Sequence, residues 1–350
     1  MPRALFSLHC PLSWSLSSCL LMAVLLCGLA AADAAPARVT LLVPSQPGIE
    51  APAKVAPDAA QAPKPQQAGE KGGQQASGQV TTPPVARAAE SNGRKAASPA
   101  AADAAGGEEK AQPPSISEEV DVLISMMRPF RHEGLPMDMP QLFAVLRYDH
   151  QTPVKEGALQ PERHDLLGDM EEIHYLDQKA WGANVALSRP GLYQFIIEAR
   201  PWWDAARDRF VQHYVKTTLP VYGMDRGWEL PVGQRFEIQP LTRPFGLTAP
   251  AFFSGRVLFN GATLGNAPVR MTRINTDGQI APTPWHEELA ARTDSEGQFA
   301  FVLNQPGWWC CAAAAAGDPL KGQDGQPKPL ELGALFWLYV DGPTAEARKR

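Results

Sequence analysis

The residues best suited to chemistry in this chain gather in two places. The first is Met126-Met127-Arg128-Pro129-Phe130-Arg131-His132-Glu133-Gly134-Leu135-Pro136-Met137-Asp138-Met139, which mixes imidazole, carboxylate and thioether groups. Imidazole suits nickel, cobalt, copper and zinc, and thioethers favour soft ions such as Cu(I), so His132 and Glu133 are candidate metal ligands. The competing reading has the methionines filling a core while His132-Glu133 forms a solvated turn. The second place is Phe210-Val211-Gln212-His213-Tyr214-Val215-Lys216, where a period of two puts His213 on the face of Val211 and Val215. A histidine there is either a ligand or a hydrogen-bonded core residue. His164 and His174 fall in the polar stretch 162–177, which reads as a surface loop.

Other chemistries lack their motifs. The chain has no G-x-S-x-G, no G-x-G-x-x-G, no phosphate-binding loop and no C-x-x-C. His286-Glu287-Glu288-Leu289-Ala290 opens like a zinc-protease helix but has no second histidine to complete the metal face. An enzyme is not expected. With 32 Lys+Arg against 37 Asp+Glu the net charge is −5, without the basic excess that phosphate-backbone binding demands, so nucleic acid is not an expected partner. Trp202-Trp203 and Trp308-Trp309 offer flat rings for stacking on sugars, yet adjacent strand residues face opposite sides, so only one ring of each pair meets a given surface. Trp181, Trp228, Trp285 and Trp337 read as core fill.

These groups would be carried by strands. Apolar or β-branched runs recur at 38–43, 120–126, 142–148, 181–187, 192–199, 210–219, 236–241, 252–260, 269–275, 299–303, 308–313 and 335–340. Gly, Pro, Asn or Asp separates most of them, the spacing of an all-β sandwich. Asn260-Gly261 supplies the positive φ angles of a tight hairpin, and 294–297 makes a further turn. The expected architecture is two β-sandwich domains, a larger one over 115–250 and a smaller immunoglobulin-like or prealbumin-like one over 251–342, followed by a basic tail at 343–350.

Residues 1–34 carry Arg3, an apolar stretch from Cys19 to Ala32 and Ala32-Asp33-Ala34, the order of a secretory signal peptide cut before Ala35. About 14 apolar residues fall short of the roughly 20 that span a bilayer, and no later segment is long enough either, so no transmembrane segment is expected in the mature chain. Leu16-Ser17-Ser18-Cys19 resembles an acylation site but precedes the apolar run. Export leaves only Cys310 and Cys311, which excludes a disulfide framework; as strand neighbours they are poorly placed to bond each other. After a short strand within 35–45, residues 46–114 contain no Leu, Phe, Trp or Tyr and balance seven acids with seven bases. Such a stretch cannot bury enough apolar surface to order itself, and it reads as a disordered Ala/Pro/Gly/Gln-rich insertion.

A set of motifs then carries a resemblance. Arg128-Pro129-Phe130, Met137 with Met139-Pro140, Arg189-Pro190-Gly191-Leu192-Tyr193, Arg200-Pro201-Trp202-Trp203 and His213-Tyr214-Val215-Lys216 occur in order. Gly227-Trp228-Glu229, the run 236–247, Thr293-Asp294 with Gly297-Gln298-Phe299, and Pro306-Gly307-Trp308-Trp309 come after them. From Val120 to Asp341 the chain resembles the periplasmic component associated with nickel and cobalt uptake, a family catalogued as a domain of unknown function and labelled a NikM-type nickel transport subunit. The resemblance implies a β-rich protein of the Gram-negative periplasm that captures Ni²⁺ or Co²⁺ as transported ligand and passes it to membrane-embedded transporter subunits. It implies His213 as a ligand, matched directly by the family's strand motif. Two departures weaken that implication: Ala35-Pro36-Ala37-Arg38 stands where relatives carry a histidine-containing start, and cations flank Pro129-Phe130 where relatives carry His and Glu, leaving His132 and Glu133 to substitute one step along. The alternative is a non-metal structural or protein-interaction module of a periplasmic complex.

Overall fold

The computed structural model describes residues 38–51 and 118–343. The expected signal peptide and basic tail, and most of the expected insertion, lie outside these residues. The described chain is all-β, with two single 3₁₀ turns at Leu167–Asp169 and Pro284–His286. Most strands fall where apolar alternation placed them. Leu142–Tyr148 has the expected bounds, and Gly191–Glu198, Arg209–Val221, Phe236–Pro240, Ala251–Phe259 and Gln298–Leu303 differ by a residue or two at their ends.

The organising element is a ten-stranded sheet. Its order is Leu289–Arg292, Pro268–Arg273, Gly307–Lys321, Pro327–Asp341, Arg209–Val221, Gly191–Glu198, Leu142–Tyr148 and Glu162–Asp165, with two short strands paired outside this path. Strands from both sides of the expected boundary near Pro250 therefore share one sheet. The joint is the parallel pairing of Arg209–Val221 with Pro327–Asp341, in register from Phe210↔Leu330 to Thr217↔Trp337. Partners about 120 residues apart leave no local trace in the sequence.

Another sheet packs on each face of this central sheet, and the 228–245 loops cover Leu146, Tyr148, Leu192 and Ile196. One face carries Val215, Cys310, Leu335 and Trp337, which pack with Leu42, Val122, Ile124 and Trp181 of an N-terminal sheet ordered Val39–Pro44, Glu118–Arg128, Gln178–Leu187, Glu171–Tyr175. The other face carries Cys311, Phe336 and Leu338, which pack with Phe236, Phe253, Phe299 and Phe301 of an outer sheet. Cys310 and Cys311 are free and buried, as alternation requires of neighbours on opposite faces. Asn260 and Gly261 have φ of 50° and 79° and close the hairpin that pairs Phe259 with Ala262. The turn at Asp294–Gly297 carries the chain from the central sheet into the outer one.

Three local expectations change. Residues 162–177 are not a loop: Glu162–Asp165 and Glu171–Tyr175 are edge strands, with His164 opposite Val145 and His174 opposite Lys179. Charged residues are common on edges because they discourage pairing with other chains, and this hides the strand signal. The N-terminal ordered segment runs past 45, since Ile49 is buried and its N–H donates to the Pro220 carbonyl at 2.9 Å. Trp285 is 86% exposed rather than core.

A buried ion pair ties the outer sheet to the central one. Lys216 Nζ lies 2.8 Å from Glu237 Oε2, with both side chains almost wholly buried. The same carboxylate accepts the Val232 and Gly233 N–H groups at 2.9 and 3.1 Å, which fixes the loop leading into the outer sheet. Burial pushes the Lys216 ammonium below its ordinary range, and Glu237 opposes that shift. Glu237→Ala strands this cation and two N–H groups, so urea unfolding should show a loss of about 3–5 kcal/mol. Lys216→Met combined with Glu237→Leu should recover much of that loss; a loss below ~1 kcal/mol for the single variant would show that the pair does not hold the layers together.

Candidate functional site

His213 sits where the N-terminal sheet meets the central one, and 5% of it is exposed. Its Nδ1 accepts the backbone N–H of Thr40 at 3.3 Å, and the Thr40 hydroxyl lies 3.0 Å from the same nitrogen. This fits the neutral tautomer with its proton on Nε2. The Trp202 ring stands edge-on at 4.6 Å, and across the parallel ladder the partner residue is Gly333. A Cβ on Gly333 would come within 2.5 Å of the imidazole, so only glycine leaves room for the ring. Burial, with Arg207 nearby, lowers the His213 pKa to about 3.

The other expected ligands are elsewhere. His132 occupies a turn with φ of 48°, and its N–H donates to the Pro129 carbonyl. Glu133 is held by Arg128 at 2.6 Å. Met126, Met127 and Met137 are buried in the core. Glu133 pairs with Arg128 on one side of the Glu118–Arg128 strand while the Thr40 strand lies on its other side, a separation of about 10 Å between backbones. The structure does not bring His213 together with His132 and Glu133. Among the described residues no three His, Cys, Asp or Glu side chains converge on one point.

What the structure does assemble is a cleft of about 1010 Å³. One wall comes from the N-terminal sheet, whose Leu41, Val43 and Val122 are also part of the core. Val43, Leu123, Gly182 and Glu171 are successive register partners across its four strands and form a single row. Beside that row Asp121 accepts the Asn184 side-chain amide at 2.9 Å, and Ile173, Tyr175 and Asp169 continue the wall. The facing wall comes from the central sheet: Ile274, Thr276 and the register partners Trp308 and Tyr339, whose rings meet edge-on at 5.4 Å. Among the described residues, three carboxylates and three aromatic rings line the cleft, and no Lys, Arg or His does. Burial raises the Tyr175 phenol, so that ring stays neutral. Sequence reasoning missed this site because its walls come from segments far apart in the chain; the Pro306-Gly307-Trp308-Trp309 motif was the one signal pointing to it. Such a surface suits an elongated partner with apolar and cationic groups, since aromatic faces attract cations.

A histidine kept neutral in the fold has a measurable signature. Between pH 6.5 and about 3 the unfolded chain binds a proton at His213 that the folded chain does not, so stability falls as pH drops. The slope attributable to this group is at most ~1.4 kcal/mol per pH unit. In urea titrations, His213→Gln should lower stability at neutral pH and flatten the acid side of the profile. An unchanged slope would mean that His213 takes up its proton in the folded state.

Among solved structures the chain is similar to the D00–D0 domain of intimin, at 13% identity over 63% of this chain and 92% of that one, with a TM-score of 0.17. It is similar to a marsupial T cell receptor at 11% identity over 65% and 70%, TM-score 0.17, and to BcpA, the major pilin subunit of Bacillus cereus, at 12% over 68% and 67%, TM-score 0.14. At these scores the likeness carries no argument. No curated protein matches the chain. Residues 108–317 match the family described as a domain of unknown function, DUF4198, and the chain belongs to that family.

Proposed function

We propose that this protein is an extracytoplasmic β-scaffold that docks a partner in its aromatic and acidic cleft. The accessory role in nickel or cobalt uptake, which the sequence resemblance implies, is in this reading performed by docking to transporter subunits rather than by holding the ion. The observation that carries it is the contrast between two sites. His213 spends its Nδ1 lone pair on Thr40 and is enclosed by Trp202 and Gly333. The cleft instead presents Trp308, Tyr339 and three carboxylates in a space large enough for a peptide.

A metal ion entering at His213 would have to displace Thr40 or remove the Nε2 proton inside a packed core, and among the described residues no carboxylate is hydrogen-bonded to the ring to balance its charge. His132 and Glu133 offer the ion a turn histidine beside a carboxylate already paired with Arg128. The reading therefore separates two variants. In cells that depend on nickel or cobalt uptake, Trp308→Ala should reduce uptake severalfold with the folded state intact by circular dichroism. His213→Gln should lower stability, with uptake following only the amount of folded protein. Calorimetry of the exported chain with Ni²⁺ or Co²⁺ should give no heat at micromolar ion. Micromolar binding lost in His213→Gln would replace docking with direct capture.

A further inference from the structure

The cleft does not end at Trp308 and Tyr339. These two residues also line a second hollow of about 380 Å³, so the two spaces share the aromatic pair. Glu50, Asp225 and Asp341 line that hollow with one cation, Arg243, whose guanidinium lies 5.5 Å from the Phe245 ring centre. Asp121, Asp169 and Glu171 line the cleft itself, so each space contributes three carboxylates. All six residues are exposed, and among the described residues none of the six stands in an ion pair.

Six carboxylates against one guanidinium leave an excess of five negative charges, which equals the net charge of the whole chain. The remaining charges sum to zero, and a cationic partner is therefore steered to this groove. Size points to a polymer. Sites for small molecules hold roughly 300–1,000 Å³, and the cleft, at about 1010 Å³, fills that range before the second hollow is counted. Spacing points away from a bound ion, because no three His, Cys, Asp or Glu side chains converge among the described residues. Carboxylates spread along a groove instead meet separate lysine or arginine side chains. Between the two acidic stretches the Trp308 and Tyr339 rings, edge-on at 5.4 Å, offer apolar contact.

We propose that the groove takes one extended segment of a partner protein, basic at both ends and apolar in the middle, which crosses the aromatic pair and reaches both spaces at once. This rests on reading the cleft as a docking site and names the chemistry of what docks there. An exposed ion pair changes affinity by no more than about fivefold, so neither space alone holds such a segment tightly. Once one end is seated, the other binds intramolecularly, and the two modest contributions multiply. A partner basic at one end only gains half of this, which makes the pattern of charge, and not its total, the basis of selection.

The test uses the full exported chain and three fluorescein-labelled nonapeptides with an extended reach of roughly 30 Å. The first is Lys-Arg-Ala-Ala-Leu-Ala-Ala-Arg-Lys; the second has glutamine in place of the last two cations, and the third has glutamine in place of all four. In anisotropy titrations the two-ended peptide should bind about tenfold more tightly than the one-ended peptide, and the neutral peptide should not bind. Binding of the two-ended peptide should weaken severalfold as salt rises from roughly 50 to 300 mM. Asp121→Asn with Glu171→Gln, and separately Glu50→Gln with Asp225→Asn, should each lower its affinity to about that of the one-ended peptide, with the fold intact by circular dichroism. No binding, equal binding of the one-ended and two-ended peptides, or indifference to either pair of substitutions overturns the proposal. The docking reading survives each of these results and fails separately, if Trp308→Ala leaves uptake unchanged.

Discussion

The fold depends on how one backbone amide is satisfied. Thr40 lies in a six-residue strand whose residues are all buried, and its flank away from Glu118–Arg128 faces the central sheet. Backbone groups there need partners, because a buried unpaired N–H costs about 1–3 kcal/mol. His213 supplies the acceptor for the Thr40 N–H, and the Trp337 indole donates to the Thr40 carbonyl at 2.9 Å. The two side chains come from adjacent strands of the central sheet, so this one peptide locks an N-terminal strand across the joint between the sheet's halves. The imidazole must remain neutral to accept, which is why its burial and its tautomer belong to the same constraint.

That lock sets where the cleft can be. With Thr40 and Leu42 turned toward the central sheet, alternation turns Leu41 and Val43 the other way, and register passes this orientation to Leu123, Gly182 and Glu171. The row would face solvent in an isolated sheet. Here Trp308 and Tyr339 of the central sheet line the same cleft as the row. On the far face the Lys216 and Glu237 pair plays the corresponding part, since it holds the outer sheet through a charge that neither partner can abandon in a dry core. The two faces are thus fastened differently, one by a neutral hydrogen bond and the other by an ion pair.

Much of the local structure was legible in the apolar runs: the central strand Gly191–Glu198 is buried at nearly every position, and the outer strand Gln298–Leu303 alternates, with Phe299, Phe301 and Leu303 buried and Ala300 and Val302 exposed. The polar strands Glu162–Asp165 and Glu171–Tyr175 were not legible, since their edge position removes the apolar signal. The run Ala312–Ala316 extends the strand Gly307–Lys321 despite alanine's weak strand preference, because its pairing with 331–335 decides the conformation. For the site, composition marked His213, His132 and Glu133 but gave no information on their separation. The residues that form the cleft read as ordinary hydrophobics and acids until the register brought them into one row.

The same buried imidazole that would make an attractive ligand in sequence is unsuited to that role in the fold, for an electrostatic reason. Capturing a divalent cation in a dry core needs anionic or strongly polar groups to replace its hydration shell, and around His213 the aromatic edge of Trp202, the bare backbone of Gly333 and the hydroxyl of Thr40 provide almost none of that. The nearby Arg207 opposes positive charge further. The carboxylates of the cleft, Asp121, Asp169 and Glu171, stand instead at an exposed surface that Trp308 and Tyr339 also line, where a guanidinium or ammonium can keep part of its hydration and still gain contact. In this arrangement His213 serves the contact between sheets, and the negative charge of the cleft stands apart from it.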